Sequence, residues 1–317
     1  MRAKVIFEAR SFRGSPNVRR MTANTLRVGI HTSIAGGLPK AVESAAAKGC
    51  DGFQIFARNP RGWTARGLER DEVRAFREAR ERANLWPLAI HSVYLINLAS
   101  QDPVGLERSR RAFREEIERG LELGADYLVV HPGNPVSAPA DVGIVTAAES
   151  IREATRGLSL RGASTGAGGA GRPDGLTILI ENTAGQGSSI GCHFEQVADM
   201  LAMLDGLPVG VCLDTAHTLA AGYDIATAKG LKATMRLIER SFGFERIRLI
   251  HCNDSKVPLG SRVDRHQHIG EGHIGGEGFR RLTHTLKFRR IPFILETPVD
   301  RERDDVWNIN RLRELGA

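Results

Sequence analysis

Nine side chains in this sequence combine a type that holds metal ions with a position that could bring them together. His91, His131, Glu181, Asp214, His251 and Glu296 each close a short apolar run, and His217, Asp264 and His266 lie a few residues beyond two of those runs. Imidazole nitrogens mixed with carboxylate oxygens, and no thiolate among them, suit zinc, with manganese as an alternative. A catalytic zinc takes three protein ligands and keeps one position open, so nine ligands exceed one ion. They suffice for three ions if one carboxylate bridges. The chemistry that such a cluster supplies is activation of water near neutral pH. Taken singly, each residue has a plainer reading. A histidine after an apolar run is usually a satisfied core or capping group, Asp214 can cap a following helix, and Glu296 can pair with an arginine. What separate plain readings leave unexplained is the recurrence of ligand types at the same end of successive runs.

Those runs are 28–33, 52–57, 88–94, 127–133, 177–183, 209–215, 247–254 and 292–297. They are rich in Val, Ile and Leu with little alternation, the pattern of strands buried on both faces of a parallel sheet. Amphipathic segments alternate with them at about 36–49, 69–84, 103–124, 143–158, 193–205, 224–241, 276–287 and 302–315. Eight strand-then-helix repeats predict a single-domain α/β fold, a (β/α)₈ TIM barrel over residues 26–317, because an open doubly wound sheet more often stops at five or six strands. In such a barrel the C-terminal strand ends converge on one rim. His217, three residues after Asp214, sits where a first helical turn aims it back at that rim. His31 ends the first strand and is expected beside the ligands or facing substrate, whereas His193, His268, His273 and His284 read as ordinary.

Of the formal charge of +7, residues 1–25 carry +5, with six basic side chains against Glu8. The remaining chain is close to neutral, so net charge is weak support for nucleic-acid binding by the folded body. The first 25 residues are expected to form a disordered basic tail, and the Gly-rich stretch 161–175 a mobile loop inserted before the fifth strand. Cys50, Cys192, Cys212 and Cys252 include no CxxC pair and are expected to be buried and reduced, as in a cytoplasmic protein. No apolar run is long enough to span a membrane and no secretory signal is evident.

The motifs GIHTSIAGGL (29–38), FQIFARNPRGW (53–63), HSVYLIN (91–97), VVHPG (129–133), IENTAGQG (180–187), CLDTAH (212–217), AAGYD (220–224), HCNDSK (251–256), GSRVDRHQHIGEGHIG (260–275) and LET (295–297) occur in order along the chain. Together they resemble the endonuclease IV family, from about residue 26 to the end. The basic tail and the Gly-rich insertion fall outside that pattern, and no ligand position departs from it.

The resemblance implies three zinc ions. His91, His131 and Glu181 would hold the first. Glu181 would bridge to a second completed by Asp214, His251 and Glu296, and His217, Asp264 and His266 would hold the third. It implies cleavage of duplex DNA 5′ to abasic sites by a hydroxide held beside Glu181, leaving a 3′-hydroxyl and a 5′-deoxyribose phosphate, with trimming of blocked 3′ ends as a second activity. No serine or cysteine constellation offers a protein nucleophile, so no covalent intermediate is expected. Arg61, Tyr94 and Leu95 would contact and bend the DNA. A cytoplasmic, nucleoid-associated monomer is expected, with no membrane partner. Two rival readings remain at this point. A single-metal sugar isomerase or epimerase on the same barrel would need only Glu181, Asp214, His251 and Glu296, and a catalytically silent DNA-binding protein would leave all nine ligands idle.

Overall fold

The computed structural model describes residues 26–161 and 173–317, so the expected basic tail and most of the Gly-rich insertion lie outside the described residues. The strands are β1 (Val28–His31), β2 (Gly52–Phe56), β3 (Leu88–His91), β4 (Tyr127–Val130), β5 (Thr177–Glu181), β6 (Val209–Asp214), β7 (Ile247–His251), β8 (Asp254–Ser255), β9 (His266–Gln267) and β10 (Phe293–Leu295). All but β8 and β9 close into one barrel in the order β1-β10-β7-β6-β5-β4-β3-β2, and every neighbouring pair in it is parallel. The helices are α1 (Leu38–Ala47), α2 (Arg70–Ala83), α3 (Pro103–Leu123), α4 (Ala140–Thr155), α5 (Phe194–Met203), α6 (Thr215–Ala220), α7 (Ala228–Ser241), α8 (Gly275–His284), α9 (Leu286–Arg289) and α10 (Asp305–Leu315). This is the TIM barrel that the eight-fold repeat predicts, in a single domain.

Local chemistry explains where the elements stop. Asp102 caps α3 by accepting the Gly105 amide at 2.8 Å, Pro103 opens it, and Gly124 ends it in the left-handed conformation at φ 68°. Between the sixth and seventh strands the sequence pattern gives a helical turn at His217 and a helix at about 224–241, and the chain makes two separate helices there. Gly222, at φ 103°, ends the first, and Asp224 Oδ1 accepts the amides of Ala226 and Thr227 before α7 begins. The short α6 matters because its first turn carries His217.

Side chains alternate between the barrel interior and the helix layer. Ala89, Tyr127, Val129, Leu179, Cys212, Leu249 and Ile294 form a separate buried cluster drawn from six strands, which fills the barrel. The larger core lies between strands and helices, and includes Phe53 edge-on to Phe76 of α2 at 6.1 Å. Where β1 meets β2, a Cβ on Gly29 would lie 2.2 Å from the Gly52 carbonyl oxygen, so that position admits only glycine.

Candidate metal centre

Two residues beyond each of six inward-facing apolar positions stands a polar one: His91 beyond Ala89, His131 beyond Val129, Glu181 beyond Leu179, Asp214 beyond Cys212, His251 beyond Leu249 and Glu296 beyond Ile294. The two-residue period of a strand therefore stacks a layer of ligand types directly on the apolar plug, at the C-terminal rim. Glu181, fully buried, lies at the centre of this layer. Its Oε2 is 3.2 Å from His91 Nε2 and 3.1 Å from His131 Nε2, and its Oε1 is 2.9 Å from His251 Nδ1 and 3.4 Å from His217 Nδ1. Glu296 Oε2 is 3.3 Å from His251 Nδ1.

Five overlapping donor groups have ligand atoms within 4.8 Å of one another, and three of them parallel the sets that the resemblance implies: His91, His131 and Glu181; Glu181, Asp214, His251 and Glu296; and Asp214, His217 and His266; the other two are His91, His251 and Glu296, and Glu181, Cys212 and His251. Asp264 reaches the third group from its loop, with Oδ1 3.2 Å from His217 Nε2 and 3.4 Å from His266 Nε2. All nine candidate ligands thus meet at one mouth. Asp214 also caps α6, accepting the His217 amide at 2.6 Å, so its plainer role and its place in the cluster coexist.

The outer nitrogens of three imidazoles reveal what the inner ones are for. His91 Nδ1 lies 2.7 Å from the Ser92 carbonyl, His217 Nδ1 2.9 Å from the Asn182 carbonyl and His266 Nδ1 3.1 Å from the Glu296 carbonyl. A carbonyl only accepts, so each Nδ1 carries the proton and each Nε2 presents a lone pair. The Nε2 atoms of His217 and His266 are buried without a hydrogen-bond partner, although carboxylate oxygens lie nearby. A lone pair facing a carboxylate is repulsive unless a cation or a second proton lies between them. Metal-bound histidines are commonly held through the opposite ring nitrogen in this way, so these residues fit metal ions.

The electrostatics agree. Burial disfavours the imidazolium at His91, His217 and His251, yet surrounding acids outweigh it. Glu181 raises His91, Asp214 with Asp264 and Glu181 holds His217 well above its ordinary value, and Cys212, followed by Glu181 and Glu296, does the same at His251. Against burial, the histidines hold Glu181 well below the usual carboxylate range, lower Glu296, and bring Asp264 to about 2. The cluster is a sink for positive charge. Cys212 lies just below, and burial pushes its thiol up to about 12, so it offers no thiolate near neutral pH.

Sequence reasoning missed several supports. Gln54, fully buried on β2, places Oε1 2.9 Å from His251 Nε2 and donates through Nε2 to Glu296 Oε1 at 2.6 Å. The first contact makes Nε2 the protonated nitrogen of His251 and leaves Nδ1 for the cluster. Asn253 donates to Asp214 Oδ2 at 2.7 Å and accepts the Glu296 amide at 2.8 Å. His31 stands beside the ligands as expected, 3.5 Å from Glu296 Oε1. Among the histidines read as ordinary, His268 is buried between Asp300 and Asn308.

Of the three candidate DNA contacts, Tyr94 is 69% exposed at the mouth, its ring 5.7 Å from that of His91 and 5.4 Å from that of Phe56. Arg61 is exposed in the loop after β2, and Leu95 is half-buried against the core. All four cysteines are free and buried. No helix among the described residues is long and apolar enough to cross a membrane.

The profile of the xylose isomerase-like TIM barrel family matches residues 42–315. That family's name leaves nuclease and isomerase open. A curated protein of Solibacter usitatus named "Probable endonuclease 4" is 46% identical over 295 residues, covering 92% of this chain and 97% of the relative. This chain belongs to the endonuclease IV family. A second family member, from Cenarchaeum symbiosum, is 39% identical, with 92% of this chain and all of the relative covered. The crystal structure of endonuclease IV from Thermus thermophilus superposes with a TM-score of 0.77 at 38% identity, over 91% of this chain and 98% of that one. A D-psicose 3-epimerase structure superposes at a TM-score of 0.57 with 13% identity, a likeness of fold alone. Endonuclease IV and the epimerase thus share a barrel with this chain, and endonuclease IV shares its sequence as well.

Proposed function

We propose that this chain is a zinc-dependent DNA-repair endonuclease that hydrolyses the phosphodiester bond 5′ to abasic sites in duplex DNA, leaving a 3′-hydroxyl and a 5′-deoxyribose phosphate, and that it also trims blocked 3′ ends. The observation that carries this reading is the meeting of His91, His131, His217, Asp264 and His266 with the quartet Glu181, Asp214, His251 and Glu296. A single-ion isomerase needs only the quartet. Nine ligands suit three ions, with Glu181 shared between two of them.

When bound, the ions would ionise water near neutral pH and offset the charge on phosphate and leaving group. The chain's own residues do the rest. His91, His131 and Glu181 would hold one ion, Glu181, Asp214, His251 and Glu296 the next, and His217, Asp264 and His266 the third. Backbone carbonyls keep the Nε2 lone pairs of His91, His217 and His266 aimed inward. The exposed ring of Tyr94, with Leu95 beside it in the chain and Arg61 on the loop after β2, enters the duplex where the abasic sugar leaves a gap in the stack. Extruding that sugar costs less than flipping a stacked nucleotide, and a wedge of this kind kinks the duplex.

The test is metal analysis of the purified chain together with incision of a duplex carrying one abasic site, with and without chelator. Three zinc ions per chain and chelator-sensitive cutting 5′ to the site are expected. One ion per chain with turnover of a ketose would overturn the reading in favour of the epimerase class.

A further inference from the structure

Asp264 and His266 reach the cluster from a long loop, and no barrel strand carries them. That loop is tied down at β8 and β9, where Asp254 pairs with Gln267 and Ser255 with His266. Asp254 is fully buried, and its carboxylate accepts five backbone amides. Oδ1 takes those of Ser255 at 2.8 Å and Ile274 at 2.9 Å, and Oδ2 takes those of Gly270 at 3.0 Å, Gly272 at 2.9 Å and Gly275 at 3.2 Å. The Ser255 carbonyl accepts a further amide, from His273, at 2.8 Å. The approach is tight enough that a Cβ on Gly272 would lie 2.3 Å from the Ser255 carbonyl oxygen and 2.6 Å from Asp254 Oδ1.

We propose that Asp254 is a positioning residue. Its carboxylate gathers the amides of residues 270–275 and so sets where the strand pair delivers His266 and Asp264 to the third donor group. The inference rests on the metal-dependent reading above. Asp254 touches none of the ligand side chains and would touch no substrate. Four of its five donors come from the far end of the loop, and the fifth is its own neighbour, Ser255. Asparagine fails in this role for a definite reason: its NH₂ group would face two or three N–H donors and leave them buried without an acceptor. Asp254 also sits next to Asn253, which holds Asp214 and the Glu296 backbone, so one short segment organises two donor groups.

The experiment compares the full-length wild type with D254N and with D264N, which removes a third-group ligand directly. Zinc per chain and zinc release to a chromophoric chelator are read at fixed pH, and thermal unfolding is followed in parallel. D254N is expected to mimic D264N: one equivalent of zinc leaves about 10- to 100-fold faster than in wild type, while the other two stay and the fold melts cooperatively. Hydrogen exchange on wild type supplies an arm that needs no variant, and the amides of Gly270, Gly272, Ile274 and Gly275 are expected to be strongly protected. Three tightly held ions in D254N, or fast exchange of those amides in wild type, would overturn the proposal. A wild type that holds only one ion would defeat the metal reading instead, and the exchange arm would still judge the role of Asp254.

Discussion

Gln54 and His251 meet across the mouth of the barrel, Oε1 to Nε2 at 2.9 Å, although their strands β2 and β7 share no edge. The contact puts the His251 proton on the ring nitrogen that faces away from the acids. Gln54 also holds Glu296, at 2.6 Å. Replacing it with alanine should free His251 to change tautomer or rotate and should loosen Glu296. Partners of this kind are worth about 10- to 100-fold in metal affinity or activity. Q54A is therefore expected to lose that much in kcat and in zinc affinity at the second donor group, with KM for abasic duplex little changed. Steady-state kinetics with metal analysis checks it, and a pure KM effect would contradict the assignment.

Tyr94 is the large aromatic side chain that the mouth leaves open to solvent. A ring that fills the gap beside an abasic sugar has nothing to fill in intact duplex. Stacking of a base on an aromatic side chain is worth about 1–3 kcal/mol. Y94A should accordingly weaken binding to abasic duplex by about 10- to 100-fold and binding to undamaged duplex far less. Fluorescence anisotropy on matched duplexes measures both, and equal losses on the two would remove Tyr94 from the wedge.

The charge balance predicts how pH acts on metal-free protein. His91, His217 and His251 titrate above their ordinary value of 6.5. Their contribution to stability is complete below that value and is lost as pH rises through the raised folded values. Glu181 and Glu296 titrate below 4.5, so theirs is complete above 4.5 and is lost as pH falls. The cluster therefore stabilises the stripped chain most between these two limits, and its Tm should decline on the alkaline side. Bound cations compete with protons for the same atoms. The gap in Tm between loaded and stripped protein should widen as pH rises, and a gap that narrows would mean that protons and metal use different sites.

Arg58 is nearly inaccessible to solvent and makes ion pairs with Glu116 at 2.9 Å and Glu115 at 2.8 Å. It also donates to the carbonyls of Trp63 and Ala112, tying the loop that carries Arg61 to α3. Arg119 holds the same loop through the carbonyls of Ala57 and Arg66. Arg58→Met would strand Glu116, whose carboxyl burial already pushes upward. The expected loss is about 3–5 kcal/mol of unfolding free energy, read by denaturant titration. The double variant with Glu116→Gln should recover part of it.

The barrel and its ring of ligand types were legible because both rest on local signals. Unbroken Val/Ile/Leu runs mark doubly buried strands, and the residue that ends such a run lies on the rim. Gln54 was not legible, because a glutamine inside a strand has no signature until closure brings His251 within reach from 197 positions away. Asp254 was visible only as part of a motif. Its role depends on a loop that returns sixteen to twenty-one residues later. The break between α6 and α7 was partly legible, since the amphipathic pattern starts at about residue 224, beyond Gly222. Arg61, Tyr94 and Leu95 came from the resemblance alone, and of the three the ring of Tyr94 lies beside a cluster residue, His91.

The nine candidate ligands are not equally deep. The side chains of Glu181, Asp214 and His251 are at most 1% exposed, while His131 and Asp264 show 32% and 44% of theirs to solvent. Depth of this kind imposes an order of exchange. A scavenger arriving from solvent meets the outer ligands first and strips them before it disturbs the inner quartet. Under the proposed function, partial depletion would then leave a dormant but intact protein, which needs only its outer cations, at the first and third groups, returned before it can act.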